Sequence, residues 1–130
     1  MIARRGARGA GPWHDCRVMF IADPSQKPTD VFLYTLQPTR PAMLTAGATD
    51  SEKTMAGMHW AHSIELLKKG VIVFAGRTMI TTPDSFASVV IRAKSEDEAR
   101  AVMNSDPAVI GGLFRAKLYP FQPMLIASQE

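Results

Sequence analysis

The pattern of apolar and polar positions is most informative between residues 55 and 76, where it predicts an amphipathic helix running directly into a buried strand. With successive residues placed about 100° apart, one half of this helix carries most of its apolar side chains together with His59 and Ser63. That half consists of Met55, Ala56, His59, Trp60, Ser63, Ile64, Leu66 and Leu67. Because an apolar helix face is stable only against a core, we predict that His59 points inward. His62 lies at the edge of this half, beside Lys69, and is predicted to be solvated.

The remaining segments supply further strands and a second helix. The strands are recognised by apolar, β-branched and aromatic runs between turn residues. They are predicted at residues 31–36, 71–74, 85–93 and 113–121. The first helix follows Asp50 or Ser51, both good N-cap residues, and ends at Gly70. The second opens with the S-E-D-E capping box of residues 95–98 and stops at Pro107, so the order is strand, helix, strand, strand, helix, strand.

This order is that of the split βαβ unit of the ferredoxin-like fold, an α+β architecture in which two helices cover one face of a four-stranded antiparallel sheet. Residues 71–74 (VIVF) are apolar without alternation, which is typical of a strand covered on both faces. Since the helices cover only one face, a second copy of the sheet is the simplest cover for the other. We therefore predict a two-fold homodimer whose sheets pack face to face.

Composition and charge narrow the possible partners. The chain has 130 residues, 46% of them apolar and 21% charged, which is ordinary for one globular domain. Four arginines and one aspartate among the first 17 residues account for the whole net charge of +3, so the body is neutral and no nucleic-acid partner is expected. The single cysteine, Cys16, fits a reducing compartment, and we expect a cytoplasmic protein. No apolar run approaches the roughly 20 residues of a membrane span, so no membrane partner is expected either.

Residues 1–28 are rich in Gly, Pro and Arg and show no period, so we predict a flexible N-terminal extension before a domain over residues 29–130. His14, Asp15 and Cys16 could hold a stray metal ion. Adjacent residues in a flexible arm seldom build a closed site, however, and we expect neither a metal nor another cofactor.

A second candidate group lies at the end of the second helix. Asp106 follows Val102 and Met103 at a spacing of three to four residues, which places it on the inward side of that helix.

Several motifs along the chain, taken together, resemble the YciI-like (YCII-related) proteins of the dimeric α+β-barrel superfamily over about residues 31–121. The resemblance rests on His59, Leu67, Gly70, Ala75-Gly76, the S-E-D-E-A cap, the D-P-A-V-I-G-G turn at 106–112 and Tyr119-Pro120-Phe121.

The resemblance implies a homodimer with a pocket between sheet and helices in each subunit. A histidine and an aspartate of the family resemble a catalytic pair, and they would fall here on His59 and Asp106. One relative looks like a dehydrochlorinase acting on a chlorinated hydroxyquinone, and muconolactone isomerase shares the superfamily fold. Arg77 stands where many relatives have proline, so the polarity of the pocket does not follow from the resemblance.

Two functions fit these residues. The first is a cofactor-independent lyase or isomerase acting on a small molecule, in which His59 transfers a proton while Asp106 fixes its tautomer and stabilises the imidazolium. Further substrate contacts are expected from polar and cationic side chains: Ser63 or Ser88 for a polar group, Arg92 or Arg77 for a carboxylate or phenolate, and Arg40 as an anion contact. The alternative is a dimeric module that binds a small molecule without turnover, because the sequence offers no nucleophile and no set of metal ligands.

Overall fold

The computed structural model describes residues 2–4, 16–20 and 30–129. Within them the strands are β1 (Ile2–Arg4), β2 (Cys16–Phe20), β3 (Val31–Pro38), β4 (Ile72–Arg77), β5 (Ala87–Arg92), β6 (Phe114–Pro120) and β7 (Leu125–Gln129). The helices are α1 (Asp50–Lys68), α2 (Glu96–Asn104) and α3 (Pro107–Ile110), and a short 3-10 helix spans Pro41–Leu44. The chain divides into two compact units, one of residues 30–120 and one containing the other described residues.

The unit of residues 30–120 is built on a four-stranded antiparallel sheet in the order β4-β5-β3-β6. This is the predicted ferredoxin-like α+β topology, and the predicted order of elements is confirmed. Pro107 ends α2 as expected, but it also occupies the first turn of the short helix α3. Proline is suited to that position because its ring fixes φ and its missing N–H is not needed there.

The core lies between this sheet and the helices. Along β3 the residues alternate strictly between half-buried and buried, as expected for a strand with one face against a core. The buried face is completed from the neighbouring strands and from α2. Its members are Phe32, Tyr34, Leu36, Ile72, Val89, Ile91, Ala93, Ala99 and Met103. Burial of this apolar surface is what holds the helices against the sheet.

No described element of this unit covers the other face of the sheet. One row of side chains crosses it: Phe74 is opposite Val90, Val90 is opposite Leu33, and Leu33 is opposite Tyr119. Phe74 is 58% exposed and Tyr119 46%. Within one chain residues 71–74 are thus covered on one face, and the cover expected from a second copy of the sheet stays a prediction. The helices cover Ile72, whereas a register shift between Ile72 and Phe74 turns Phe74 to the open face.

Fewer side chains of α1 are buried against the rest of the protein than the sequence predicts. His59, Ser63 and Leu66 are partly buried, but Trp60 is 68% exposed and Leu67 52%. No residue of α1, whose whole length the structure describes, is fully buried. The physical reason is the position of the helix, which packs on α3 and on β4, a strand at the edge of the sheet. A helix over an edge has neighbours along one narrow stripe.

The second unit contains a three-stranded antiparallel sheet in the order β1-β2-β7. In its register Cys16 lies opposite Gln129 and Phe20 opposite Leu125. Residues 2–4 and 16–20 are therefore strands of this sheet, and the flexibility expected of the N-terminal extension stays a prediction. His14 and Asp15, considered above as metal ligands, lie outside the described residues. The division of the chain into residues 1–28 and 29–130 stays a prediction.

The assigned end of α1 can be tested by replacing two glycines, one inside the helix and one just after it, with alanine. Gly70 ends the helix with φ +75°, a conformation that L side chains rarely adopt, whereas Gly57 lies inside α1. A Cβ at either position would meet nothing within 4 Å. We expect Gly70→Ala to lower the free energy of unfolding by about 1 kcal/mol because of φ alone, and Gly57→Ala to raise it by roughly 0.5–1 kcal/mol. Urea denaturation of both variants measures this, and changes of the same sign would contradict the assigned helix end.

Candidate functional site

The site is centred on one contact between α1 and the start of α3. Nδ1 of His59 lies 2.6 Å from Oδ2 of Asp106. The His59 side chain is 21% exposed and that of Asp106 is 2% exposed. The structure thus brings together the two side chains that the sequence places on inward-facing positions, one within reach of solvent and the other shut away from it.

Asp106 is held by the local chain geometry. It is the N-cap residue of α3, with an extended backbone and Pro107 directly after it. The Ala108 N–H donates to Oδ1 at 2.9 Å, so each carboxyl oxygen has a separate partner. A carboxyl group at this position satisfies a free N–H of the first helical turn. The carboxyl group therefore has little rotational freedom and presents Oδ2 to the imidazole.

The His59 ring is fixed on a second side by Phe114, the first residue of β6. The two rings meet edge to face, with centroids 5.3 Å apart and planes inclined at 78°. When Nδ1 carries the proton it donates to Asp106, and the lone pair of Nε2 is then free to accept a proton from another molecule. The arrangement can therefore orient an imidazole for acid–base chemistry.

Tyr34, on the central strand β3, is a site residue that sequence reasoning missed. It is 1% exposed, and burial followed by the negative charge of Asp106 raises the pKa of its phenol. Among the described residues its hydroxyl makes no hydrogen bond to another protein group. The sequence pattern marks Tyr34 only as a strand-forming aromatic residue. The sequence signal that could have identified it is its position on the buried face of an alternating strand, because a buried hydroxyl group needs a hydrogen-bond partner.

His62 is predicted to be solvated, but in the structure it joins α1 to the end of α2. Its Nε2 lies 3.0 Å from the Ser105 hydroxyl oxygen. That hydroxyl donates its only proton to the Val102 carbonyl oxygen at 2.6 Å. His62 must therefore donate from Nε2, which assigns this histidine a fixed tautomer and a contact separate from that of His59.

Of the five other expected substrate contacts, the structure places only Ser63 on the same helix as His59. Ser63 is half-buried on α1, one turn after His59. Ser88 and Arg92 lie opposite Thr35 and Val31 in the sheet register, which places them on the uncovered face, away from the helices. Within one chain the sheet itself separates them from His59, so they cannot share its ligand there. Arg92 instead lines an open cleft of about 410 Å³, and Arg77 is exposed at the end of β4.

Arg40 is expected to contact an anion, and in the structure its guanidinium group binds the carboxylate of Glu52. Its Nε and Nη2 donate to the two carboxylate oxygens of Glu52 at 2.9 and 2.5 Å, and Nη2 also donates to the Gly47 carbonyl oxygen at 3.1 Å. Glu52 also occupies the N3 position of the capping box that begins at Thr49. The guanidinium thus ties the preceding loop to the first turn of α1, and this hydrogen bond is the largest cause that lowers the pKa of Glu52 to about 2.

Two features are absent from the part of the chain that the structure describes. None of its helices is long and apolar enough to cross a membrane. Its His, Cys, Asp and Glu side chains form no group of three or more that could hold a metal ion.

Comparison with known proteins now places the fold. No family model matches the chain, and no curated protein matches it. Among solved structures it is similar to 5-chloro-2-hydroxyhydroquinone dehydrochlorinase from Burkholderia phenoliruptrix AC1100, in complex with 2,5-dihydroxybenzoquinone. The identity is 22%, the TM-score is 0.50, and the match covers 71% of this chain and 93% of the other. The likeness establishes the fold. At this identity it leaves the activity of the present chain to be argued from its own residues.

The ion pair at the start of α1 predicts a dependence of stability on pH. Glu52 has a folded pKa of about 2, below its ordinary value of 4.5, so the stabilisation is complete above the ordinary value and is lost as the pH falls toward 2. We expect Glu52→Gln to remove this component, so that its free energy of unfolding falls less steeply than that of the wild type between those values. Glu65→Gln is the matched control, because Glu65 forms a longer and exposed pair with Lys68. Urea denaturation across this pH range measures both, and equal slopes for Glu52→Gln and wild type would contradict the assignment.

Proposed function

We propose that this protein is a cofactor-independent acid–base enzyme that moves a proton on a small oxygenated molecule in a lyase- or isomerase-type reaction. The observation that carries the proposal is the 2.6 Å contact between His59 Nδ1 and Asp106 Oδ2. A buried carboxyl group bonded to one nitrogen of a partly exposed imidazole is the arrangement that prepares the other nitrogen for proton transfer.

In the proposed mechanism Nε2 of His59 removes a proton from a carbon of the substrate. The electron pair of that C–H bond enters the substrate, and Asp106 stabilises the imidazolium that forms at His59. In an isomerisation Nε2 returns the proton to a different carbon. In an elimination the electron pair forms a double bond while a leaving group departs with its own pair. Positioned acid–base catalysis of this kind contributes about 10²–10⁴-fold to a rate.

The solved structure with the same fold supports this class of reaction. It is named as a dehydrochlorinase, and removal of HCl from an organic molecule requires a proton to be taken from it. The compound in that complex is a dihydroxyquinone, an oxygenated ring. We therefore propose that the present chain is a YciI-like protein and that its substrate is a small oxygenated compound.

The proposed assembly is a homodimer with its sheets face to face. Support comes from the row of Phe74, Val90, Leu33 and Tyr119 across the uncovered face of the sheet. Large apolar patches of this kind on a folded protein generally mark an interface. A second copy would supply a matching row, because a two-fold axis joins the same surface of both subunits.

An assay of proton exchange tests the catalytic proposal whichever product is formed. Incubation with 5-chloro-2-hydroxyhydroquinone or 2,5-dihydroxybenzoquinone in D₂O, followed by NMR, is expected to show loss of a substrate C–H signal or release of chloride. His59→Gln should reduce the rate constant by about 10²-fold or more, because it removes the imidazole nitrogen that takes the proton. Asp106→Asn should also reduce it, because an amide NH₂ favours the other histidine tautomer.

His62→Gln is the matched control for the exchange assay, because His62 lies on the same helix but bonds to Ser105. Its rate should equal that of the wild type. An undiminished rate in His59→Gln would contradict acid–base catalysis by this residue. Tight binding of either compound by the wild type, with neither exchange nor chloride release, would favour the non-catalytic binding module instead.

The dimer is tested by replacing one residue of the apolar row with a charge. Phe74→Glu is expected to shift the protein from dimer to monomer in light scattering after size exclusion, because two carboxylates would face a desolvated interface. Leu67→Glu is the control: its side chain is 52% exposed, close to the 58% of Phe74, but it lies on α1. A monomeric wild type, or a dimer unaffected by Phe74→Glu, would rule out this interface.

A further inference from the structure

We propose that the Tyr34 hydroxyl is the hydrogen-bond donor that holds a substrate oxygen beside His59, so that the substrate carries a carbonyl or phenolic oxygen next to the carbon that loses its proton. This inference rests on the proposed function and deepens it. It makes Tyr34 a third member of the site, after the imidazole and the carboxyl group.

The first support is the position of the ring. Tyr34 lies on the central strand, opposite Val89 on one neighbour and Leu118 on the other, and its side chain belongs to the face covered by the helices. Phe114, which touches the His59 ring, belongs to the same face of the sheet. The phenol and the imidazole are therefore both directed into the layer between sheet and helices.

The second support is the unmet hydroxyl. Tyr34 is 1% exposed, yet among the described residues its hydroxyl has no protein hydrogen-bond partner. In the same part of the chain, every half-buried or buried side-chain oxygen or nitrogen that is sealed from solvent has a partner. The Tyr34 hydroxyl is therefore not completely sealed from solvent, and we place the ligand oxygen at its small accessible part. A buried hydroxyl group without a protein partner can donate a hydrogen bond to an acceptor atom of a ligand.

The third support is electrostatic. Burial, and then the negative charge of Asp106, raise the pKa of the Tyr34 phenol. The hydroxyl therefore keeps its proton at neutral pH and acts as a donor. Asp106, whose charge contributes to this shift, is 1% exposed and is bonded to His59. A ligand oxygen bonded to Tyr34 would thus lie next to the catalytic pair.

These groups complete the proposed proton transfer. When Nε2 of His59 takes the proton from the carbon beside a carbonyl, the C–H electron pair forms a carbon–carbon double bond and the carbonyl π pair moves onto oxygen. The Tyr34 O–H donates a hydrogen bond to the resulting oxyanion and stabilises it. The carbonyl then re-forms, either as the oxyanion pair expels a leaving group from the next carbon or as His59 returns the proton to another carbon.

The test uses 4-nitrophenol at a pH at which it is ionised, since its phenolate oxygen resembles the oxyanion. Wild-type protein should bind it and shift its absorption band to shorter wavelength, because a hydrogen bond holds the negative charge on the oxygen. Tyr34→Phe, which removes only the hydroxyl, should weaken binding about 10-fold and abolish the band shift. It should also lower the rate constant of substrate exchange by about 10²-fold.

Controls separate this role from a structural one. Tyr119→Phe removes a hydroxyl from the opposite face of the sheet and should change neither the dissociation constant nor the band. Tyr34→Phe should unfold at the same urea concentration as the wild type, because the lost hydroxyl has no hydrogen-bond partner among the described residues. A marked loss of stability would point to a structural role and overturn the inference.

The two proposals fail in different ways. If Tyr34→Phe retains the affinity and band shift of the wild type, or if the wild type neither binds nor shifts the probe, the Tyr34 inference is overturned, whatever His59→Gln does to exchange. If His59→Gln exchanges substrate at the wild-type rate while the Tyr34-dependent shift is present, acid–base catalysis by His59 fails. The oxygen-binding role of Tyr34 then stands without it.

Discussion

The contact between the Asp106 carboxyl group and the His59 ring is the constraint on which the site and the placement of α1 both depend. No residue of α1, a fully described helix, is completely buried, so the helix is held by a narrow stripe of partial contacts and by this polar link to α3. A buried carboxyl group that lost the link would keep only its bond to the Ala108 N–H. Leaving a buried polar group unmet costs about 1–3 kcal/mol, so the atoms that would carry the proposed chemistry also stabilise the fold.

The order of elements and the meeting of His59 with Asp106 could be predicted because both follow from local periodicity. Once the apolar face of a helix is recognised, the periodicity determines which side chains lie on that face, and Pro107 marks where the periodicity of α2 stops. The width of the buried stripe on α1 could not be predicted in this way. Trp60 and Leu67 are apolar, but they are exposed because the helix lies over an edge strand. Local sequence patterns do not determine over which part of a sheet a helix lies.

Other features depend on contacts between distant segments. β2 pairs with β7, more than a hundred residues further along the chain, and neither strand has a strong pattern of its own. The period of two in a strand separates its residues into two sets, but it does not say which set faces the helices. For that reason the sequence groups Ser88 and Arg92 with His59, although the sheet lies between them. Tyr34 escapes sequence reasoning for a related reason: its chemistry comes from burial beside Asp106, which the strand pattern alone does not show.

The irregularity in β4 has a consequence for how copies of this chain can meet. β4 and β6 are the two edges of the larger sheet, and a regular edge strand offers unpaired amide groups to any passing strand. The register shift between Ile72 and Phe74 bends and twists the first edge, and Pro120 removes an N–H donor at the end of the second. Both features therefore disfavour open-ended association of copies by addition of one edge strand to another.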